Sequence, residues 1–438
     1  MLLEFKTSNY KSFADEMVFS MTAAPKQKGL DYSLQKEGIG AKTYKGLCSA
    51  VIYGPNASGK TNIIGAMDTM KEIVLRGNIR NSDAFISPNH ASGILELIPN
   101  RFSKNTTTSF SIKFIDNGLL VEYSFSAKLG EFLDAGYDRE IVREKLTINE
   151  KDVFSRDSGL KVSLPSVVKG FCNDGVNGTQ TLFDFIAEGS LNKDELFLTN
   201  GFKSIYAKKL VSLILSWFDN KFMVIYRSDA IQMIRRFTNP KANTVYVEKT
   251  LTEAAKIFGA DSNALGYIAK AGNDDVVLSS LFDDKKVSIP AEMFESFGTL
   301  RFVNEFPLVI NALINGGTLV MDEFDASIHP MALMNIISVF HNDEINKNHA
   351  QLIFNTHNPI FLNSTLFRRD EIKFVEREEK TGNSIHYALS DFKTADGTRK
   401  GEEYMKNYFV SKYGAIKDVD FSDILDEIIN GKEVTKSV

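Results

Sequence analysis

Three short stretches of this chain gather the residue types that handle phosphate. The first is Gly54-Pro-Asn-Ala-Ser-Gly-Lys60-Thr61. Its two glycines let the backbone curl until successive amide N–H groups point inward and form a nest for an anion. Lys60 is long enough to reach β- and γ-phosphates, and the Thr61 hydroxyl suits a magnesium ligand. The candidate nucleotide-binding set here is Gly54, Asn56, Ala57, Ser58, Gly59, Lys60, Thr61 and Asn62. The second stretch, Leu319-Val-Met-Asp322-Glu323, ends an apolar run in two acids. Asp322 can hold the hydration shell of magnesium, and Glu323 can orient or deprotonate water. Adjacent side chains diverge on an extended strand, which suits separate tasks near one metal. A surface turn is the plainer reading of such a pair, and the phosphate loop weighs against it. The third stretch is Asn355-Thr-His357-Asn-Pro359. His357 can donate a hydrogen bond neutral or charged, so it could contact a γ-phosphate or the attacking water. A loop histidine with local bonds only is the alternative.

These groups act only if strands and helices bring them together. Leu47 to Tyr53 reads as a buried strand entering the loop, and Asn62 to Val74 as the helix leaving it, with Ile63, Ala66, Met67, Met70 and Ile73 on one side. That is the order a phosphate loop needs. Thr318 to Met321 and Gln351 to Phe354 read as two more buried strands, whose ends deliver the acids and His357. Catalytic groups of open α/β sheets gather beyond such strand ends. Glu295-Ser-Phe-Gly298-Thr299 precedes a helix bearing Phe302, Phe306, Val309, Ile310 and Leu313, which Gly316-Gly317 ends. Ser296 and Gly298 could bind phosphate at the helix N-terminus or simply cap the helix. The pentapeptide alone does not choose.

Strand signals also appear in Leu3 to Phe19, in Ser109 to Phe114 and Leu119 to Phe125 around the turn Asp116-Asn-Gly118, and in Ile141 to Ile148. They predict an antiparallel patch flanking the main sheet. Residues 24–46 read as a loop. The segments 181–188, 191–198, 202–219, 229–237 and 250–272 carry helical periodicity, so 175–290 is expected to be a mainly helical insertion. No heptad run is sustained enough for a coiled-coil arm. The expected organisation is thus 1–174, 175–290 and 291–438. Further strands are expected over 370–390 and a polar helix over 420–429.

At 438 residues the chain can bury a large core, and 43% hydrophobic with 24% charged residues is ordinary for a soluble protein. The start Met-Leu-Leu-Glu-Phe-Lys resembles no secretory leader, and no apolar run reaches membrane-spanning length, so a cytoplasmic protein without membrane contact is expected. Cys48 and Cys172 give neither a disulfide framework nor zinc spacing. The net charge of −5 argues against a general nucleic-acid coat but leaves room for a local patch. His386, Asp391 and Glu402-Glu403 form no metal constellation by spacing. Phe392, Tyr404, Tyr408, Phe409 and Tyr413 are expected to fill a core or a partner face.

Taken together, Asn9-Tyr-Lys-Ser-Phe13, Gly54 to Thr61, Glu295 to Thr299, Met321 to Pro330, Phe354 to Pro359 and Lys412-Tyr-Gly-Ala-Ile416 make the chain similar to ABC-type AAA ATPases related to SMC and RecF heads. The likeness is greatest to the prokaryotic AAA15 group, found among stand-alone and phage-defence ATPases. It implies an α/β P-loop ATPase head with an antiparallel flanking sheet, a mainly helical insertion and no long coiled-coil arm. It also implies ATP and Mg2+ as ligands, with Thr61 and Asp322 on the metal and Glu323 and His357 as the catalytic glutamate and switch histidine. Ser296 and Gly298 would contact the γ-phosphate held by another copy in a head-to-head dimer, with Asp325 to His329 crossing between the two sites. The chain departs from the usual Leu-Ser-Gly-Gly signature in having Glu-Ser-Phe-Gly, and His329 stands where aspartate is common. Two outputs follow from the resemblance, control of a separate toxic effector such as a nuclease in anti-phage defence, or clamping and remodelling of DNA; a nucleotide-controlled interaction module with little turnover is a third reading.

Overall fold

The computed structural model describes residues 1–25, 27, 29–80, 95–130, 132, 138–175, 185, 189, 191–226, 245–247, 249–258, 264–269, 276–282, 287–326, 328–392, 402–417 and 420–429. Strands β1 (Leu2–Ser8) and β2 (Met17–Ser20) open the chain. A hairpin of β3 (Leu34–Ile39) and β4 (Lys42–Leu47) follows, then β5 (Ser49–Tyr53) and helix α1 (Lys60–Arg76). The long strands β6 (Thr107–Asp116) and β7 (Leu119–Lys128) turn through Asn117-Gly118, both in the left-handed region. Next come β8 (Glu140–Ile148), β9 (Lys151–Arg156) and β10 (Leu160–Val162).

The middle of the chain holds α2 (Lys208–Ser216), β11 (Phe222–Ile225), β12 (Val245–Val247), α3 (Lys249–Phe258), β13 (Ala264–Ala269), β14 (Val276–Phe282) and β15 (Val287–Pro290). The last part holds α4 (Phe297–Asn315), β16 (Thr318–Met321), α5 (Pro330–Phe340), β17 (Gln351–Asn355), β18 (Ile372–Arg377), β19 (Ser384–Ala388), α6 (Tyr404–Phe409) and α7 (Ser422–Ile429).

The central sheet runs β11-β16-β17-β5-β18-β19, parallel except for the edge strand β19. Strand β5 is buried along its whole length, as a parallel strand covered on both faces must be. Because side chains alternate, it feeds two cores. Ala50 and Ile52 join Ile63, Met67 and Met70 of α1 on one face. Val51 and Tyr53 join Phe302 and Val309 of α4 and Leu333 and Ile337 of α5 on the other.

A seven-stranded antiparallel sheet, β10-β9-β8-β7-β6-β1-β2, flanks the α1 face. Trp217 links it to the central sheet, stacked on Phe114 at 3.7 Å and Phe222 at 5.1 Å between ring centres. Gln351, buried at the start of β17, fastens β1: its amide accepts from Leu2 N at 2.5 Å and donates to Leu2 O at 3.0 Å.

Residues 24–46 are not a plain loop, since they contain the β3–β4 hairpin. Its outward side chains are mostly polar and exposed, and its one-sided burial left no clear alternation to read. The stretch 175–290, expected as a mainly helical insertion, holds the helices α2 and α3 but also the strand β11 of the central sheet and a four-stranded antiparallel sheet, β12-β13-β14-β15. Ala264–Ala269, read as a continuation of helix, is a strand of that sheet, where cross-strand pairing with β14 overrides a weak local pattern. The predicted helical segments 229–237 and most of 181–188 lie outside the described residues. Among the described residues no helix is long and apolar enough to cross a membrane. Tyr404 and Tyr413 are buried, Phe392 and Tyr408 pack partly against the same core, and Phe409 is exposed.

Candidate functional site

The Gly54–Thr61 segment leaves β5 and turns into α1, as its residues require. At Gly54 a Cβ would stand 2.1 Å from Val375 O, so the loop can pass β18 only without a side chain. Gly59 has φ 110°, and a Cβ there would stand 2.5 Å from Ser384 Oγ. Ala57 also takes the left-handed region, at φ 61°. Asn56 and Ala57 are exposed at the loop's crest, and Ser58 is buried.

Lys60 folds back over the loop and donates to Gly54 O at 2.7 Å and Pro55 O at 3.0 Å. Burial lowers its ammonium to about 8, against the opposing pull of Asp322 and Glu323. The next residue, Thr61, donates its hydroxyl to Asp322 Oδ1 at 3.1 Å, bridging 261 positions of sequence. Asn62 turns its amide to Ser12 Oγ at 2.7 Å, tying the start of α1 to the turn after β1.

The β16 strand end is held by its neighbour. Met321 pairs in register with Phe354, so Asp322 and Asn355 leave the sheet side by side. Asn355 Nδ2 donates to Asp322 Oδ1 at 2.5 Å, and Asn355 Oδ1 accepts from Glu323 N at 2.5 Å. Glu323 itself takes φ 51°, a conformation that costs a non-glycine residue roughly 1–2 kcal/mol and calls for an outside constraint. The constraint on its other side is Arg301 of α4, whose Nη2 donates to Glu323 O at 2.7 Å. Arg301 is buried and donates through Nε to Glu305 Oε1 at 2.8 Å. Burial pushes the Glu305 carboxyl up to about 7, with Arg301 working in the opposite direction. The peptide of Glu323 is thus clamped at both ends, while its carboxylate is free to face solvent.

His357 stands exposed just beyond β17. Partial burial of its ring, then the Lys60 cation, hold its pKa below the ordinary value, and Glu323, Asp325 and Asp322 oppose the shift. The charged groups of all three motifs therefore share one electrostatic neighbourhood. Thr356 Oγ1 donates to Asp325 Oδ2 at 2.6 Å, and burial raises the Asp325 carboxyl. His329 caps α5, accepting from Met331 N at 3.2 Å through Nδ1.

Ser296 and Gly298 are placed differently. Ser296 is the N-cap of α4, accepting from Thr299 N at 3.1 Å, and its side chain lies at the surface beside exposed Phe297. Among the described residues no hydrogen bond or ion pair joins Ser296 or Gly298 to the phosphate loop of the same chain.

Sequence reasoning did not single out Asn355, Arg301, Ser12 or Ser384. Asn355 carried a signal, because a polar residue closes an apolar strand adjacent to the acidic one. Arg301 and Glu305 carried another, an (i, i+4) ion pair on an otherwise apolar helix. Ser12 lies within the Asn9–Phe13 stretch, which by itself gives it no role, and nothing local marks Ser384.

The donor set suits a nucleotide with a hard cation. Thr61 and Asp322 supply a hydroxyl and a carboxylate oxygen within one coordination sphere, few enough for magnesium, which keeps water and phosphate oxygens as its other ligands. The Ser58 hydroxyl is buried in the cradle and has no hydrogen-bond partner there. Residues 49–363 match the family model described as "AAA domain, putative AbiEii toxin, Type IV TA system". Solved structures similar to the chain include the SMC head domain from Thermotoga maritima, with 14% identity, 88% of this chain and 98% of that chain covered, and a TM-score of 0.35. Another is the SmcHead bound to the C-winged helix domain of ScpA, with 11% identity, coverage of 89% and 99%, and a TM-score of 0.40. No curated protein matches the chain.

Proposed function

Since this chain belongs to the AAA-domain family whose description includes the AbiEii toxin and Type IV TA system, we propose that it is a magnesium-dependent ATPase whose nucleotide sites are completed between two copies. The observation that carries this reading is the approach of Thr61 Oγ1 to Asp322 Oδ1 at 3.1 Å, with Lys60 beside them. Thr61 and Asp322 would hold the cation, which when bound neutralises charge on the phosphoryl oxygens. Lys60 and the loop amides bind the phosphates and stabilise charge that develops as the terminal phosphoryl group departs. Glu323 accepts a proton from the attacking water, so that ATP and water yield ADP and phosphate. His357 donates a hydrogen bond at the same end of the site. Ser296 and Gly298, at the exposed start of α4, would meet the γ-phosphate bound by the other copy.

The output of that cycle is the control of a separate effector, in keeping with the toxin–antitoxin description of the family. The insertion, 175–290, is the region we assign to that partner. Substituting Ser296→Arg places a bulky cation at the proposed contact without touching the phosphate loop. The variant should bind ATP as the native protein does, yet lose ATP-dependent association in light scattering and most of its phosphate release. Unchanged association and turnover would sink the shared-site reading. Affinity capture with and without ATP then separates outputs: an ATP-dependent protein partner supports effector control, whereas ATP-dependent retention of DNA with stimulated hydrolysis replaces it with a DNA clamp.

A further inference from the structure

We propose that Ser384, the first residue of β19, is a positioning residue for nucleotide binding that sets the orientation of the Ser58–Gly59 peptide. The proposal rests on the nucleotide-site reading above. Ser384 Oγ donates to Ser58 O at 2.5 Å, across 326 positions of sequence. In a planar trans peptide the carbonyl and the following N–H point in opposite directions. Drawing Ser58 O outward to Ser384 therefore turns Gly59 N–H toward the inside of the loop, where phosphate oxygens would lie. That orientation needs a restraint, because glycine at the following position lets a peptide plane flip at little steric cost.

Two further hydrogen bonds make Ser384 part of a brace rather than an isolated bond. Its backbone N donates to Ser12 O at 2.7 Å. Ser12 Oγ accepts from Asn62 Nδ2 at 2.7 Å, so the same unit holds the first turn of α1. A Cβ on Gly59 would stand 2.5 Å from Ser384 Oγ and 2.7 Å from Ser12 Oγ, which puts both hydroxyls directly against the outer wall of the loop. Ser384 is 8% exposed, so water cannot readily replace its hydroxyl. The β18–β19 hairpin fixes the position: Arg377 pairs with Ser384, and Asn383 Oδ1 accepts from Asn100 Nδ2 at 3.2 Å. The edge hairpin thereby sets how well the loop is formed before nucleotide arrives.

The test compares Ser384→Ala, Ser384→Thr and Ser384→Val in the full chain, using magnesium with a fluorescent ATP analogue for affinity and ATP for steady-state turnover. Loss of the hydroxyl should raise Kd and KM about tenfold, the effect of one buried hydrogen bond, with kcat within about twofold. Ser384→Thr should restore native affinity. Ser384→Val, which has the shape of threonine without its hydroxyl, should behave like Ser384→Ala and carries the test should alanine fail to fold. Equal affinity of the Thr and Val variants would overturn the brace. Lys60→Ala serves as the separate control. If it binds nucleotide like the native protein, the site reading itself fails; if it loses binding while Ser384→Val keeps it, only the brace falls.

Discussion

Replacing Arg301 with methionine and Glu305 with glutamine in one variant should separate nucleotide binding from turnover. Both must change, because the pair is buried with Nε and Oε1 2.8 Å apart. Removing one charge alone would leave the other buried and unpaired, at about 3–5 kcal/mol. What the double variant removes from the site is the bond from Arg301 Nη2 to Glu323 O at 2.7 Å. A hydrogen bond from a charged donor contributes about 1.5–3 kcal/mol. The left-handed backbone of Glu323 stores roughly 1–2 kcal/mol. Clamp and strain are of similar size, so loss of the clamp lets the Glu323 peptide relax away from its working geometry. At 1.4 kcal/mol per factor of ten, the competent fraction falls about 10- to 100-fold. The turnover number should fall by that factor, while KM, which the proposed function assigns to Lys60 and the loop, stays within about twofold. Phosphate release and nucleotide titration on the same preparation read both quantities, with a melting curve to verify folding. A folded double variant that turns over within about twofold of the native rate would refute the reasoning, as would an equal loss of binding and turnover.

Two further outcomes concern stability. Burial, reinforced by the Lys373 cation, depresses His386 to about 3. The unfolded chain therefore takes up a proton near pH 6.5 that the folded chain refuses, and stability falls as pH is lowered through that window. Between pH 6.5 and 4 this amounts to about 3 kcal/mol. His386→Gln should flatten that component in urea unfolding, and parallel native and variant pH profiles would contradict it. Trp217→Ala should cost about 3–5 kcal/mol, since it removes the ring stacked between Phe114 and Phe222; a loss below about 1 kcal/mol in the same assay would show that the two sheets are held by other contacts.

Much of the fold could be read because local pattern and tertiary demand agree where the chain is buried. Strand β5 and helix α1 follow from an apolar run, a glycine-rich turn and a one-sided helix, and the β6–β7 hairpin follows from alternation around Asn117-Gly118. The β3–β4 hairpin was missed because its side chains are mostly polar or half-exposed, and the strand Ala264–Ala269 because a short apolar run with Leu265 and Tyr267 buried does not by itself tell strand from helix; in both the pairing comes from partners. The site divides in the same way. Lys60, Thr61, Asp322, Glu323 and His357 stand in contiguous motifs, so each could be named as a candidate from its own stretch of sequence. Ser384 hydrogen-bonds the backbone of a distant segment, and a single hydroxyl leaves no spacing by which to find it. Ser12 lies in the Asn9–Phe13 stretch and Arg301 in an (i, i+4) pair with Glu305, but neither pattern points to the segment that the residue holds. Ser296 shows a mixed case, for the cap it makes was one of two readings its sequence allowed.

The most direct measurement of the account is paired binding and hydrolysis by the native protein and Glu323→Gln, with magnesium and ATP at concentrations spanning Kd. Glutamine keeps the shape of the side chain and leaves the backbone clamp by Asn355 and Arg301 in place. The predicted result is native ATP affinity with phosphate release slowed about 100-fold or more, the scale of a lost general base. Equal turnover by the two proteins, or no ATP binding by the native chain, would contradict it.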